Sequence, residues 1–212
     1  QHVNPLSRFF QLPIDLPTPK ELFEFPEQPI HLDIGCARGR FLLDLAQLNP
    51  KSNYLGLEIR QPLVQSANRE VNKLRIGNVK FLFCNANISL DKWLNTIPAD
   101  LLKLVSIQFP DPWFKQRHIK RRILQPKLLA SISKNINFGS EIFIQGDVYS
   151  IINEMNLLIN SSGYFSRDPL NEDEWLTKSP FPIYTEREYY AISKKIHVYR
   201  VLYKRNHKNY LE

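Results

Sequence analysis

The chain has 212 residues, of which 43% are hydrophobic, so it can build one domain with a sizeable core and is not intrinsically disordered. Its 28 basic and 21 acidic residues give a net charge of +7, which weakly favours a polyanionic partner. No apolar run approaches the roughly 20 residues that a bilayer-spanning helix needs, so we expect no membrane partner.

Strand-like apolar segments alternate with helical patterns along most of the chain. Residues 1–28, rich in Pro and aromatics, are predicted to form an arm with a short helix near Pro19–Phe25, ahead of a domain over 29–212. The predicted strands are Ile30–Ile34, Tyr54–Glu58, Val79–Cys84, Leu104–Phe109, Glu141–Gln145, Tyr164–Phe165 and His197–Tyr203. The predicted helices are Arg40–Leu48, Pro62–Leu74, a short one beginning at Leu90–Trp93, one through Leu128 to Ile136, and Ser150–Asn160.

This alternation predicts an α/β fold with a doubly wound, mostly parallel, seven-stranded sheet. The last strand follows a Pro-containing loop over Ser179–Tyr190, and a strand reached by such a route is predicted to be an antiparallel edge strand. The fold class is therefore Rossmann-like.

Small residues lie at the first strand–helix junction, in the run Asp33-Ile34-Gly35-Cys36-Ala37-Arg38-Gly39. Glycine lets the backbone turn tightly and lets a ligand approach closely. The run lacks the G-x-G-x-x-G spacing of dinucleotide-binding folds, and an acid two residues before Gly35 would repel a pyrophosphate but suits a cationic ligand. It resembles the first motif of S-adenosylmethionine-dependent methyltransferases; an ordinary turn is the alternative.

Polar residues also end the next two predicted strands. Glu58 ends the second, where a carboxylate can accept hydrogen bonds from ribose hydroxyls. The resemblance places the residue after the third strand against the adenine, and Asn85 can serve because its amide both donates and accepts. A turn-forming Asn is equally compatible with the sequence.

The most informative run follows the fourth strand: Phe109-Pro110-Asp111-Pro112-Trp113-Phe114-Lys115-Gln116-Arg117-His118-Ile119-Lys120-Arg121-Arg122. It places one carboxylate and one Trp ahead of a dense basic cluster, with no acidic residue from Pro112 to Ser140. In a doubly wound sheet the end of this strand lies beside the ligand. The run therefore suits chemistry on a base of a polyanion.

Pro110 to Lys115 with its basic tail closely resembles the signature of bacterial tRNA (guanine-N7-)-methyltransferases. The resemblance covers about Asn4 to Arg205. Further matching positions are Asp33, Gly35, Gly39, Glu58, Asn85, Ala86, Gly146, Asp147 and Thr185 to Glu188. Three positions depart from the family pattern, which often has Glu at 33, Gly at 37 and Asp at 85.

The resemblance implies a class I methyltransferase fold, S-adenosylmethionine as cofactor, and guanine 46 in the variable loop of tRNA as substrate. It implies that the cofactor is bound by Asp33, Gly35, Gly39, Glu58, Asn85 and Ala86. It implies that the substrate is bound by Lys115, Asp147, Thr185, Glu186, Arg187 and Glu188. It implies that RNA contacts come from Arg117, His118, Lys120, Arg121 and Arg122.

The reaction itself requires little acid–base chemistry. Guanine N7 has an in-plane lone pair and no proton to lose, so positioning in line with the S–CH3 bond supplies most of the acceleration. A carboxylate that holds N1–H and the N2 amine favours the positive charge that develops on the ring. We assign this catalytic role to Asp111, with Asp147 as a second carboxylate.

Several other interpretations remain open. Asp111 could cap a helix, the basic run could be a solvated face, Trp113 could pack under the loop, and Asp147 could be an ordinary strand-end acid. Alternative functions are an exocyclic-amine nucleic-acid methyltransferase, a non-enzymatic tRNA-binding module, and, third, a nicotinamide dehydrogenase.

The cysteines and histidines do not suggest a metal site. Cys36 and Cys84 are too few and too distant for a disulfide framework or a zinc site, and we interpret them as reduced core residues of a cytoplasmic protein. His31 and His118 have no metal-like companions, so no metal is expected. A monomer and a homodimer are both compatible with the sequence.

Overall fold

The computed structural model describes residues 3–167 and 175–208, and one seven-stranded sheet organises them. The strands are β1 (Ile30–Ile34), β2 (Asn53–Glu58), β3 (Val79–Phe83), β4 (Leu102–Gln108), β5 (Glu141–Gly146), β6 (Phe165–Ser166) and β7 (Tyr199–Arg205). The helices are α1 (Pro19–Leu22), α2 (Arg40–Leu48), α3 (Gln61–Leu74), α4 (Ala86–Leu94), α5 (Pro126–Asn135), α6 (Tyr149–Ser162) and α7 (Glu186–Ser193). Two 3₁₀ helices cover Arg8–Gln11 and Gln116–Arg121.

The strand order is β3-β2-β1-β4-β5-β7-β6, with β1 to β5 parallel. β7 runs antiparallel to both of its neighbours, β5 and β6. The predicted α/β fold with a seven-stranded, mostly parallel sheet is therefore confirmed. The antiparallel strand lies one place in from the edge, because the short β6 pairs along its outer side.

Helices cover both faces of the sheet, as a doubly wound fold requires. On one face α4, α5 and α6 pack against β1, β4 and β5, around buried residues such as Leu32 and Ile144. On the other face α2 and α3 pack against β2 and β3, and Phe181 joins them through its ring contact with Phe41. None of the helices in the described ranges is both long and apolar enough to cross a membrane.

Two helix starts differ from the predictions because side-chain caps set them. α4 begins at Ala86 and not near Leu90, since the Asn85 side chain accepts a hydrogen bond from Asn87 N at 3.2 Å. α7 begins within the last part of the predicted loop, and its cap is Thr185 Oγ1, which accepts from Glu188 N at 3.1 Å. Thr185 to Glu188 has the T-x-x-E spacing of a capping box, and this signal could have predicted the helix.

The first strand–helix turn depends on Gly39. Its φ is +72°, and a Cβ there would lie 2.4 Å from the ring of buried Phe81. Gly139 offers a matched comparison, because its φ is +81° but nothing lies within 4 Å of the Cβ position. Both glycines have left-handed backbone, but of the two only Gly39 has a neighbouring side chain that an added Cβ would clash with.

We expect Gly139→Ala to lower the free energy of unfolding by about 1 kcal/mol, the cost of left-handed backbone for an L-residue. Gly39→Ala is expected to cost about 1–3 kcal/mol more, because the Phe81 ring must shift within a packed core. Urea unfolding of both variants measures the difference. Equal losses would contradict the steric role of Gly39.

Candidate active site

A cleft opens where the carboxyl ends of the central strands meet, with about 810 Å³ of space that includes open solvent. This is the place expected of a small-molecule site in a doubly wound sheet. Six predicted site residues line it, namely Gly35, Glu58, Asn85, Ala86, Asp111 and Arg121. The structure thus brings the proposed cofactor side and the proposed catalytic acid to one cavity.

Asp33 does not line this cleft but is buried beneath it at the end of β1. Its Oδ1 accepts hydrogen bonds from Ser106 Oγ at 2.6 Å and from Gln108 Nε2 at 3.2 Å. Burial raises the pKa of Asp33 to about 6, an effect that these two bonds oppose and the charge of Glu58 reinforces. Gly39 likewise lies outside the lining and starts α2.

Glu58 organises the loop beside it. Its Oε2 accepts from Ala37 N at 2.9 Å, which holds the turn after β1, where Ala37 has a φ of 50°. Both of its oxygens also accept from the Arg60 guanidinium, at 2.9 and 3.1 Å. These bonds raise the pKa of Arg60, and the negative charge of Asp111 adds to the effect.

Arg60 is a lining residue that the sequence analysis missed. Its guanidinium pairs with the Glu58 carboxylate at the end of β2, and it also feels the negative charge of Asp111 in the loop after β4. Its position two residues after a strand-end acid was the signal that could have identified it.

Asn85 and Asn87 shape the opposite wall. The Asn85 amide donates to Pro5 O at 3.3 Å and to Phe10 O at 3.1 Å, so it ties the N-terminal arm to the cleft. Asn87 donates to Ile123 O at 2.8 Å, and its own Oδ1 is buried without a hydrogen-bond partner among the described residues. The lining therefore offers an unused polar acceptor beside Ala86 N, which suits a purine edge.

The loop after β4 carries strained backbone at the cleft. Phe109 and Trp113 have φ values of 48° and 39°, a region that bulky residues rarely adopt. A hydrogen bond of 2.7 Å from Phe109 N to Gln145 O holds the first of them. The two residues flank Asp111 in the loop after β4.

Trp113 organises the basic loop that follows. Arg121 lies 4.9 Å from its ring centroid in a cation–π contact, and His118 meets its edge at 5.5 Å. Trp113 and Arg121 both line the cleft. The indole thus packs within the loop, one of the interpretations that the sequence left open, and it also lines the cavity.

The basic residues divide into outward and inward sets. The side chains of Lys115, Arg117 and Lys120 are exposed, next to a Phe114 that is 70% exposed. The Arg122 guanidinium instead pairs with Glu154 of α6 and donates to Trp113 O. Arg122 therefore holds the loop against α6, while the outward set forms a cationic surface beside the cleft.

The late-segment residues lie together but outside the cleft lining. Arg187 pairs with Asp147, and Thr185 caps α7. Glu188 is fully buried and binds the Arg200 guanidinium at 2.7 Å, while Glu186 is exposed. In this arrangement Glu188 positions α7, and its predicted contact with the substrate stays a prediction.

The lining residues fit a nucleoside-type cofactor better than a metal. Across residues 3–167 and 175–208, no three His, Cys, Asp or Glu side chains are grouped to hold a metal ion. Gly35, with a φ of +87°, leaves room that a Cβ would fill, 3.1 Å from Ile123 Cδ1. Glu58 and Asn87 Oδ1 add polar acceptors to the same lining, and the hydroxyls and amine of a nucleoside can donate to such acceptors.

Comparisons with known proteins agree with this geometry. A family model described as "Putative methyltransferase" matches residues 27–201. The tRNA (guanine-N(7)-)-methyltransferase of Parasynechococcus marenigrum strain WH8102 is 58% identical over 97% of this chain and 87% of its own length. The enzyme of the same name from Prochlorococcus marinus strain NATL1A is 49% identical, over 97% of this chain and 96% of its own length.

Solved structures show the same fold at low identity. The 16S rRNA methyltransferase KamB aligns with a TM-score of 0.58 and 10% identity, covering 89% of this chain and 91% of that chain. A precorrin-6y C5,15-methyltransferase from Geobacter metallireducens GS-15 aligns with a TM-score of 0.54 and 12% identity, covering 84% and 81%. At these identities the likeness concerns the fold alone.

The raised pKa of Asp33 makes the stability of the protein depend on pH. The folded protein takes up the Asp33 proton at about pH 6, whereas the ordinary value is 3.8. The stabilising effect of this proton uptake is complete below the ordinary pKa and is lost as pH rises through about 6.

We therefore expect Asp33→Asn, which is neutral at every pH, to gain stability relative to the wild type as pH rises from about 5 to about 8. The gain over this window is about 1.4 kcal/mol, the free energy of one pKa unit, because the unfolded chain has already released the proton by pH 5 whereas the folded protein keeps it until about pH 6. Urea unfolding at both pH values measures it, with exposed Asp100→Asn as the control. A gain that is the same at both pH values would contradict a raised Asp33 pKa.

Proposed function

Because this chain belongs to the tRNA (guanine-N7-)-methyltransferase family, we propose that it transfers a methyl group from S-adenosylmethionine to guanine N7 in tRNA. The observation that carries the proposal is the shared cleft. One wall offers the Glu58 carboxylate and Ala86, and the mouth carries Asp111 in front of an exposed cationic surface. A cofactor and a polyanion can therefore meet at one place.

The cofactor lies against the carboxyl ends of β1, β2 and β3 in this proposal. When bound, S-adenosylmethionine supplies a methyl group on a positively charged sulfur. Gly35 allows close approach, Glu58 accepts hydrogen bonds from the ribose hydroxyls, and Asn85, Ala86 and Asn87 meet the adenine. To accept hydrogen bonds from the ribose, Glu58 gives up part of its ion pair with Arg60. The Arg60 guanidinium lies in the same lining and can turn toward Asp111.

Asp111 orients the guanine. Its carboxylate accepts hydrogen bonds from N1–H and the N2 amine, which turns N7 toward the methyl group and favours the positive charge that forms on the ring. Arg121, stacked on Trp113 at the cleft, is placed to meet a phosphate of the same nucleotide. Because N7 carries no proton, no side chain has to act as a base.

The target guanine is that of position 46 in the variable loop, as the family resemblance implies. Lys115, Arg117 and Lys120 face solvent beside the cleft and are suited to contact the phosphates around it. Methylated tRNA undergoes strand scission at 7-methylguanine on mild chemical treatment, so labelled cofactor with unmodified tRNA followed by scission mapping tests both atom and position. Methylation at an exocyclic amine, or no transfer at all, would overturn the proposal.

We expect Asp111→Asn to reduce kcat/KM by about 100-fold or more, since a neutral amide cannot favour the cationic ring in the same way. The affinity for S-adenosylmethionine is expected to change little, because Asp111 faces the guanine. Methyl-transfer kinetics and calorimetry measure the two effects, with Asp100→Asn as a surface control. Wild-type activity in the variant would remove Asp111 from the mechanism.

The cationic surface makes a separate prediction about salt. Each lost phosphate contact should lower the slope of log K against log salt by about one. We expect Arg117→Gln and Lys120→Gln to do so in filter-binding titrations of tRNA. Lys51→Gln is the control, because Lys51 is exposed just before β2, at the end of the sheet opposite the cleft. Unchanged slopes for Arg117→Gln and Lys120→Gln would show that tRNA phosphates do not contact this surface.

A further inference from the structure

A continuous chain of polar side chains, buried except for the half-buried Gln108, crosses the sheet from the cleft. Asp33, Gln108, Gln145 and Arg200 lie on β1, β4, β5 and β7, and Glu188 joins them from α7. We call these five residues the cross-sheet network. Gln108 is paired with Gln145 in register, and Gln145 is paired with Arg200, so side chains on one face meet across neighbouring strands.

The hydrogen bonds in the cross-sheet network are between 2.7 and 3.2 Å long. Gln108 Nε2 donates to Asp33 Oδ1 at 3.2 Å, and Gln108 Oε1 accepts from Gln145 Nε2 at 2.7 Å. The same Gln145 Nε2 donates to Glu188 Oε2 at 3.0 Å. Arg200 Nε closes the chain by donating to Gln145 Oε1 at 3.1 Å and to Glu188 Oε1 at 3.2 Å.

The charged ends fix the direction of both amides. The Asp33 carboxylate only accepts, so Gln108 must present its NH2 to it and its oxygen to Gln145. Gln145 then spends its two N–H bonds on Gln108 and Glu188, and its oxygen accepts from Arg200. Only a side chain with two donors and an acceptor satisfies this position, and Gln145 is completely buried.

The cross-sheet network supports the catalytic loop at two points. Gln108 lines the cleft, and Asp111 stands three residues later on the same loop. The Gln145 backbone carbonyl also accepts from Phe109 N, at the first strained residue of that loop. Glu188 in turn fixes the first turn of α7, where Arg187 reaches Asp147.

We propose that Gln145 and Arg200 are positioning residues for methyl transfer, which act through Gln108 and Glu188 to hold the loop of Asp111 against the cofactor wall. The inference rests on the proposed function. Stability alone does not call for such a network, because a buried ion pair can often be replaced by apolar residues at no loss. Gln108 lines the cleft and Glu188 belongs to α7, so the network can hold both the cleft wall and α7 in position.

The first test is Gln145→Met, which keeps the length of the side chain and removes its three hydrogen bonds. We expect kcat/KM to fall about 10-fold or more, the rate equivalent of one or two lost hydrogen bonds, in kcat more than in KM. Calorimetry should show nearly unchanged affinity for S-adenosylmethionine, and circular dichroism should show a folded protein. Unchanged kcat in folded Gln145→Met would overturn the inference.

Gln145→Glu gives a readout that a packing role would not move. The carboxylate would face Glu188 of α7, Arg200 of β7 and the oxygen of Gln108 on β4, with His31 and Asp33 further along on β1. When ionised it cannot donate to Gln108 or Glu188, whereas the protonated acid regains one of these bonds. We expect kcat of this variant, relative to the wild type, to rise as pH falls from about 8 to about 6.

Arg200→Met and Lys204→Met form a matched pair on β7. Lys204 lies 3.8 Å from Glu141 in an exposed ion pair, whereas Arg200 binds buried Glu188. We expect only Arg200→Met to lower kcat, and equal effects of the two variants would overturn the inference. Wild-type protein is assayed first: if it makes no 7-methylguanine, the proposed function fails, whereas an active wild type with an insensitive Gln145→Met refutes the positioning role alone.

Discussion

The pairing of β1 with parallel neighbours on both sides is the constraint from which the site follows. After β1 and β2 the chain continues into helices on one face of the sheet, and after β3, β4 and β5 it continues into helices on the other face. The connecting segments therefore diverge between the carboxyl ends of the adjacent strands β1 and β4. The gap between them is the cleft, and residues at strand ends line it by topology. Glu58, Asn85 and Asp111 are distant in the chain and close in space for this reason.

Backbone strain concentrates at the same place. Gly35, Ala37 and Gly39 after β1, and Phe109 and Trp113 after β4, all have positive φ. Two of these five are glycines that adopt the conformation without strain, while the others need neighbours to hold them. The Glu58 carboxylate accepts a hydrogen bond from Ala37 N, and the Gln145 carbonyl accepts one from Phe109 N. These two buried residues therefore hold the strained backbone in place.

The fold was largely predictable from the sequence because its signals are local. Apolar strands and helical spacing predicted β1 to β5 and the helices between them. The Asp-Pro-Trp run with its basic tail predicted a site after β4, and Asp111 and Trp113 do line the cleft there. The sequence could not predict which side chains pair with one another in the folded protein. Nothing near Glu188 in the chain indicates that it is buried against Arg200, or that Arg122 turns toward Glu154 while Lys120 faces solvent. Gln108 was missed because its role arises only when separate strands align, whereas Arg60 could have been identified from its position two residues after Glu58.

The three tryptophans stand in very different surroundings. Trp93 is buried in the core and donates to Pro17 O, and Trp175 packs against Tyr149 and Tyr199, whereas Trp113 faces the cleft beneath Arg121. A guanidinium over an indole perturbs its excited state, so a ligand that displaced Arg121 would alter the emission of Trp113. The protein therefore carries an intrinsic fluorophore in the lining of its cleft, where a bound ligand could be followed optically without a label.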